Sequence, residues 1–185
     1  MNDEKAILQL KNGDINGLEY LISKYQIKAV RAAFLVTRNK EMAEDVVQDS
    51  FVNLYKRIGQ FNDSKPFEPY FMVCVMNAAL SATIRGNRFQ SFSQNFDESD
   101  FEKLLYRADS VESQVEQAQV RVDMLSLLTK LTPRQRAVVV QRYYLQMSEK
   151  EMTEASQTAP GTIKWLLNNA RTRLRALIEL GRNEE

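Results

Sequence analysis

Acidic side chains crowd the stretch AEDVVQDSF at residues 43–51. Close carboxylates such as Glu44, Asp45 and Asp49 can share acid and base roles. Such chemistry usually needs a partner group, and here the sequence is restrictive, with no His and a single Cys, Cys74. That excludes a His-ligated metal site, a Ser-His-Asp triad, a Cys-His pair and an internal disulfide. At 100° per residue, Ala43, Val46, Val47, Phe51, Leu54 and Ile58 form one apolar stripe, and Glu41, Asp45, Gln48, Asp49 and Lys56 take the opposite face. Carboxylates on a helix surface, with no Gly-rich loop beside them, point away from catalysis. Two readings remain: a solvated face, or a docking surface for a basic partner. Periodicity alone leaves both open.

The other chemistry-bearing face lies near the C-terminus. Ile163, Leu166, Leu167, Ala170, Leu174, Leu177 and Ile178 make an apolar stripe. Opposite it stand Lys164, Trp165, Asn168, Thr172 and Arg175, flanked by Asn169, Arg171 and Arg173. Arg can pair bidentately with guanine and Asn with adenine in a major groove, and Lys or Arg can hold phosphates. A basic helix face is more often simply solvated, and Trp165 could instead pack on the linker or the other domain. Cys74, inside YFMVCVM, reads as a small buried hydrophobe.

The elements that must position these faces are all helical. Six Gly and four Pro punctuate 185 residues, and no sustained period-2 run is present. A first helix follows the cap Asp14 and runs to Thr37. A second spans Lys40 to Ile58, followed by a loop to Pro66. A third runs to about Arg85, where Gly86 stops it. Thr132-Pro133-Arg134-Gln135 and Ser148-Glu149-Lys150-Glu151 are capping boxes. They open a helix at Pro133–Leu145 and a short one from Glu149 to about Ser156. A final helix starts at Pro160 and runs to about Leu180. A short helix, a turn and a longer amphipathic helix make a helix-turn-helix pattern.

Charge divides the chain the same way. The net charge of +1 conceals +2 over residues 1–90, −5 over 91–120, +6 over 121–182 and −2 over 183–185. The fold class expected is therefore all-α: a helical domain at 1–90, an acidic linker at 91–120 that includes a short helix near Phe101 to Arg107, and a helix-turn-helix domain at 121–185. A basic segment masked by an acidic one points to an anionic partner. The start, MNDEKAILQLKNGD, has no apolar core and is not a signal peptide. The most apolar run, Tyr70 to Met76, is too short to span a bilayer. A cytoplasmic protein without membrane insertion is expected.

These blocks resemble a known family. AEDVVQDSFVNLYKRIGQF is similar to region 2.2 of bacterial sigma factors. The stretch LTPRQRAVVVQRYYLQMSEKEMTEASQTAPGTIKWLLNNARTRLRALI is similar to their region 4. The two-domain layout resembles the extracytoplasmic-function, or group IV, sigma factors. The resemblance implies no active site, no metal and no cofactor. Its implied partners are RNA polymerase core, promoter DNA as −35 duplex and −10 single strand, and an anti-sigma factor. It implies core binding by Glu41, Glu44, Asp45, Gln48, Asp49 and Phe51, although the angles place Phe51 inside. It implies −10 contacts from the loop and third helix, at Asn62, Asp63, Lys65, Tyr70, Phe71, Asn77, Arg85 and Arg88. It implies −35 contacts at Thr162, Lys164, Trp165, Asn168, Asn169, Arg171, Arg173 and Arg175. The acidic linker would follow the polymerase's basic RNA exit path.

Departures from the family pattern bear on DNA contact. Met76 stands where Arg is usual, Ser81 where Asp is usual and Tyr70 where Trp is usual. In the reader helix, Trp165, Leu166, Asn168 and Asn169 replace Ser, Arg, His and Arg. Ala159 takes the place of a Ser or Thr cap, with Thr158 as a substitute. Each lost Arg weakens phosphate attraction. Two other readings stay open: a stand-alone helix-turn-helix regulator, and a sigma-like adaptor that binds polymerase without melting promoters.

Overall fold

The computed structural model describes residues 1–89, 126–156 and 158–182, and all the regular structure among them is helical. The expected linker at 91–120, with its short helix near Phe101 to Arg107, lies outside the described residues.

Helix α1 spans Asp3–Lys11. The sequence reading, which began at Asp14, did not include it. Asn2 caps it by accepting from the Lys5 amide at 3.0 Å, and Ala6, Ile7 and Leu10 are buried. Helix α2 spans Asn16–Thr37. The Asp14 carboxylate accepts from the Asn16 amide at 3.0 Å, but the cap position falls on Ile15, which makes no side-chain cap bond, so the expected cap at Asp14 lies one residue too early. The helix ends at Arg38, whose φ of 60° is left-handed. Where α1 crosses α2, Gly17 is required. A Cβ there would sit 2.2 Å from the Ala6 carbonyl oxygen.

Helix α3, Lys40–Arg57, is capped by Asn39, which accepts from the Met42 amide at 2.8 Å. A 3₁₀ turn at Ile58–Gln60 leads into the loop. Helix α4 is Phe67–Phe89 and runs through Gly86 rather than stopping there. An interior Gly costs about 1 kcal/mol relative to Ala. Helix packing accommodates it: a Cβ on Gly86 would meet Met42 Cε at 3.4 Å.

Both C-terminal capping boxes form. Thr132 and Gln135 bond reciprocally at the start of α5, Pro133–Val139. Ser148 donates to Glu151 at 2.7 Å and accepts from its amide at 3.2 Å, opening α6, Glu149–Ser156. These bonds hold the Glu151 carboxyl below its ordinary range. The expected single helix to Leu145 instead changes pitch. After Val139 the chain makes a π-helical turn over Val140–Tyr144. Helix α7 spans Pro160–Arg182.

An aromatic cluster anchors the N-terminal part. Phe71 is 1% exposed and packs against Phe51, Phe67 and Tyr25, with the Phe51 ring centroid 4.5 Å away. Residues 67–86 are long and apolar enough to cross a membrane by composition, a longer window than Tyr70 to Met76. Here Met72, Val73, Val75, Met76 and Ala79 of that stretch are buried in the protein core.

The core does not stop at the first domain. Ala137, Val138, Val140, Met147, Met152, Ile163 and Leu167 belong to the same buried cluster as α1 to α4. Helix α5 packs on α2 and α4, and α6 packs on α4. Leu131, Val139 and Ala170 form a small second cluster. Arg136 is buried at the seam between α5 and α2, with no hydrogen-bond partner for Nε or Nη1. The charge of Arg38 acts on it from the end of α2.

Candidate protein and nucleic-acid interfaces

The first surface is the outer face of α3. Glu41, Glu44, Asp45, Gln48 and Asp49 are all exposed, while Ala43, Val46, Val47 and Ser50 are buried beneath them. The amphipathic pattern thus delivers a strip of carboxylates and one amide to solvent. Phe51 is 5% exposed and packs on Phe71. It supports the strip from below and cannot meet a partner directly, as the helical angles required.

The second surface surrounds the loop before α4. Asn62, Asp63 and Lys65 are exposed, and Asn62 Oδ1 accepts from the Ser64 amide and hydroxyl. A cleft of about 590 Å³ opens here, with Phe61, Lys65 and Phe67 on the loop side and Ile7, Lys24 and Tyr25 on the α1/α2 side. Helix α1, absent from the sequence reading, braces the loop. Lys11 Nζ pairs with Asp63 at 2.7 Å and donates to the Phe61 carbonyl at 2.9 Å. A basic residue in the last turn of a short capped helix was the only sequence signal for that contact. Asp3 accepts from both Lys24 and Tyr25 at the cleft wall. Burial, then the bond to Asp3, pushes the Tyr25 phenol up to about 12.

On α4, Asn77 and Arg85 are exposed and Tyr70 is half-buried. Tyr70 stacks near Phe61 at 4.9 Å between ring centroids. Phe71, assigned by resemblance to the same contact, lies in the aromatic core instead. Its ring faces Phe67 and Phe51, so its contribution is to hold the loop and Tyr70 in place. The Arg88 side chain lies outside the described residues. Cys74 is exposed, contrary to the expectation of a buried thiol. It lines a smaller groove with Asn53, Arg57 and Tyr70, and desolvation there pushes its thiol above the ordinary range.

The third surface is the front of α7. Thr162, Lys164, Trp165, Asn168, Arg173 and Arg175 are exposed; Asn169 and Arg171 are partly so. Ile163, Leu167 and Ala170 form the buried back. Trp165 is 62% exposed, so it does not pack on the first domain. The helix begins after Ala159, whose carbonyl accepts from the Thr162 amide at 2.9 Å. The Thr158 hydroxyl bonds back to the Ser156 carbonyl at 3.4 Å. Cationic and amide side chains therefore project from the early and middle turns of a helix docked on a shorter one, the geometry that enters a major groove.

The chain is similar to known proteins over most of its length. Residues 21–89 match the family described as Sigma-70 region 2, and residues 121–174 match Sigma-70, region 4. Among relatives, the ECF RNA polymerase sigma factor SigM of Bacillus subtilis is 23% identical over 168 residues, covering 91% of this chain and 99% of SigM. An RNA polymerase sigma-E factor of Streptomyces avermitilis is 27% identical over 170 residues, covering 92% of this chain and 89% of that protein. Two solved structures share the fold. CnrH in complex with the cytosolic domain of CnrY has a TM-score of 0.68 at 19% identity, covering 96% of this chain and 97% of CnrH. The sigma factor RpoE in complex with the anti-sigma factor NepR, from Bartonella quintana, has a TM-score of 0.60 at 18% identity, covering 87% of this chain and 98% of RpoE.

Proposed function

The chain belongs to the sigma-70 family, in its extracytoplasmic-function form, and we propose that it directs RNA polymerase core to promoters through the three surfaces described. The single observation that carries this reading is the order of the surfaces. An exposed acid–amide strip, a loop cleft beside an aromatic-supported helix and a basic helix-turn-helix follow one another in the order of the two matched regions.

The α3 strip, with Glu41, Glu44, Asp45, Gln48 and Asp49, docks on a basic surface of polymerase core. Complementary charge raises the encounter rate and fixes the register. The loop residues Asn62, Asp63 and Lys65 line the place where an unstacked base enters the cleft. Tyr70, Asn77 and Arg85 track the adjoining single strand by stacking and charge. Arg88 extends the same helix toward that strand. On α7, Thr162, Lys164, Trp165, Asn168 and Asn169 meet base edges of the −35 duplex; Arg171, Arg173 and Arg175 hold its backbone. The chain contributes binding and strand separation, while the polymerase contributes the chemistry. Its place of work is therefore the cytoplasm. An anti-sigma protein, as NepR is for RpoE in one structural neighbour, is the natural regulator.

The test is reconstitution. The protein is mixed with polymerase core, resolved by gel filtration, and the complex is given genomic DNA for run-off transcription. A stable complex that initiates at discrete sites is expected. The double substitution Asp45→Arg with Gln48→Ala should abolish co-elution without lowering the melting temperature; unchanged co-elution would place the docking face elsewhere. A complex that never initiates would make the protein an adaptor.

A further inference from the structure

One contact beside the α7 front joins Arg171 to Tyr143, a residue assigned to none of the surfaces above. Arg171 Nε donates to the Tyr143 hydroxyl oxygen at 2.8 Å. The guanidinium carbon lies 5.9 Å from the centroid of the Tyr143 ring. Tyr143 is 56% exposed, so its ring edge and hydroxyl are open to a partner. It stands on the π-helical turn Val140–Tyr144 that continues α5. Such turns displace one residue from the α-helical repeat and are frequent at functional sites.

The chemistry of this pair is directional. With Nε occupied, the end-on fork of Arg171, Nη1 and Nη2, is what remains to grip an anion. The Tyr143 oxygen accepts from Arg171, so its own hydrogen remains to be donated, and no acceptor for it exists among the described residues. No carboxylate pairs with Arg171 among the described residues. Two elements of the helix-turn-helix unit thus bring one hydroxyl donor and one guanidinium fork to the same place. Lys164, Asn168, Arg171 and Arg175 recur at i, i+4, i+7 and i+11 and so share a helix face. Base edges are met mainly by the first turns of a recognition helix. Arg171 sits near the middle of α7, at the height of the flanking backbone.

We propose that Tyr143 and Arg171 together hold one backbone phosphate of duplex DNA, Tyr143 both orienting Arg171 and donating its hydroxyl to the phosphate. This rests on the −35 reading of α7 and deepens it. The contact is blind to sequence, so an arbitrary duplex is a sufficient probe.

The experiment measures anisotropy of a fluorescein-labelled duplex of about 30 base pairs, chosen without a promoter, against the full-length protein across a salt series from low ionic strength. The variants are Tyr143→Phe, Arg171→Met, their combination, and Lys164→Met as a reference on the same face. Tyr143→Phe keeps the ring and removes only the hydroxyl. It is expected to weaken binding about fivefold at low salt, equally on unrelated sequences. Arg171→Met is expected to weaken binding further and to reduce the slope of log K against log salt by about 0.9. The double variant should match Arg171→Met within about twofold, because the hydroxyl acts with the guanidinium. If Tyr143→Phe binds like the parent at every salt while Lys164→Met is impaired, the phosphate pair is wrong and the α7 reading stands. If the two single losses multiply in the double variant, the residues act separately and the proposal falls. If the parent does not bind duplex at low salt, or if Lys164→Met also binds like the parent, both fall.

Discussion

Replacing Arg136 by Met should stabilise the protein, which is the reverse of the usual result for a buried residue. Arg136 is 4% exposed, and neither its Nε nor its Nη1 has a hydrogen-bond partner. Burial, aided by the like charge of Arg38, lowers its pKa to about 10, well below the ordinary guanidinium value. At 1.36 kcal/mol per unit, that shift corresponds to roughly 3 kcal/mol disfavouring the cation in the folded state. A Met side chain keeps most of the apolar stem and removes the charge. Replacing even a paired set of buried ions by well-packed apolar side chains of similar volume is often neutral or gains about 1–4 kcal/mol. Allowing for imperfect packing, about 2 kcal/mol is expected here, or a rise of roughly 4–8 °C in melting temperature for a chain of this size. Thermal circular dichroism at pH 7 measures it, with exposed Arg134→Met as a control expected to change nothing. The pH dependence supplies a second check. Above the folded pKa near 10 and below the higher unfolded value, the unfolded state binds more protons, so this site's penalty shrinks as pH rises. The advantage of Arg136→Met over the parent should therefore diminish above pH 10. A fall in melting temperature for Arg136→Met, or an advantage independent of pH, would refute the reasoning.

Other expectations follow from single residues. Gly17→Ala forces a Cβ to 2.2 Å from a backbone oxygen. It should cost about 3 kcal/mol, read as a lower urea midpoint. Tyr25, raised to about 12, favours folding while neutral. Its contribution is complete below pH 10 and lost between pH 10 and 12, so ultraviolet titration should show a late tyrosinate component that Tyr25→Phe diminishes by one group. Cys74 should react with one equivalent of a thiol reagent without denaturant, more slowly than a free thiol because its pKa is raised. Trp165, the single Trp, should be quenched by iodide as an exposed indole, and protected when duplex is added if α7 is the DNA-facing helix; equal quenching with and without duplex would argue against that face.

Patterns with a period or a local hydrogen-bond rule were readable in the sequence. The α3 strip followed from angles alone, and the angles rightly kept Phe51 inside against the resemblance. The two capping boxes at Thr132 and Ser148 formed because each is closed within four residues. What failed depended on tertiary neighbours. Helix α1 is short and charged, and its stability comes from docking Ala6, Ile7 and Leu10 on α2. Gly86 did not end α4, because packing outweighs a cost of about 1 kcal/mol. Cys74 lies within an apolar run yet faces a groove. Arg136 reads as an ordinary polar helix residue until α2 closes over it. Tyr143 entered no assigned surface, because a π-helical turn cannot be recognised from a 3.6-residue period.

The shared core of the two domains limits how far the molecule can reach. A compact chain of 185 residues has a radius of gyration near 16 Å, hence a breadth of about 40 Å. Forty ångströms corresponds to about 12 base pairs of straight duplex at 3.4 Å per step. In the packed arrangement the loop cleft and the front of α7 therefore lie within little more than one duplex turn of each other. Simultaneous contact with sites spaced more widely than that requires the shared core to part.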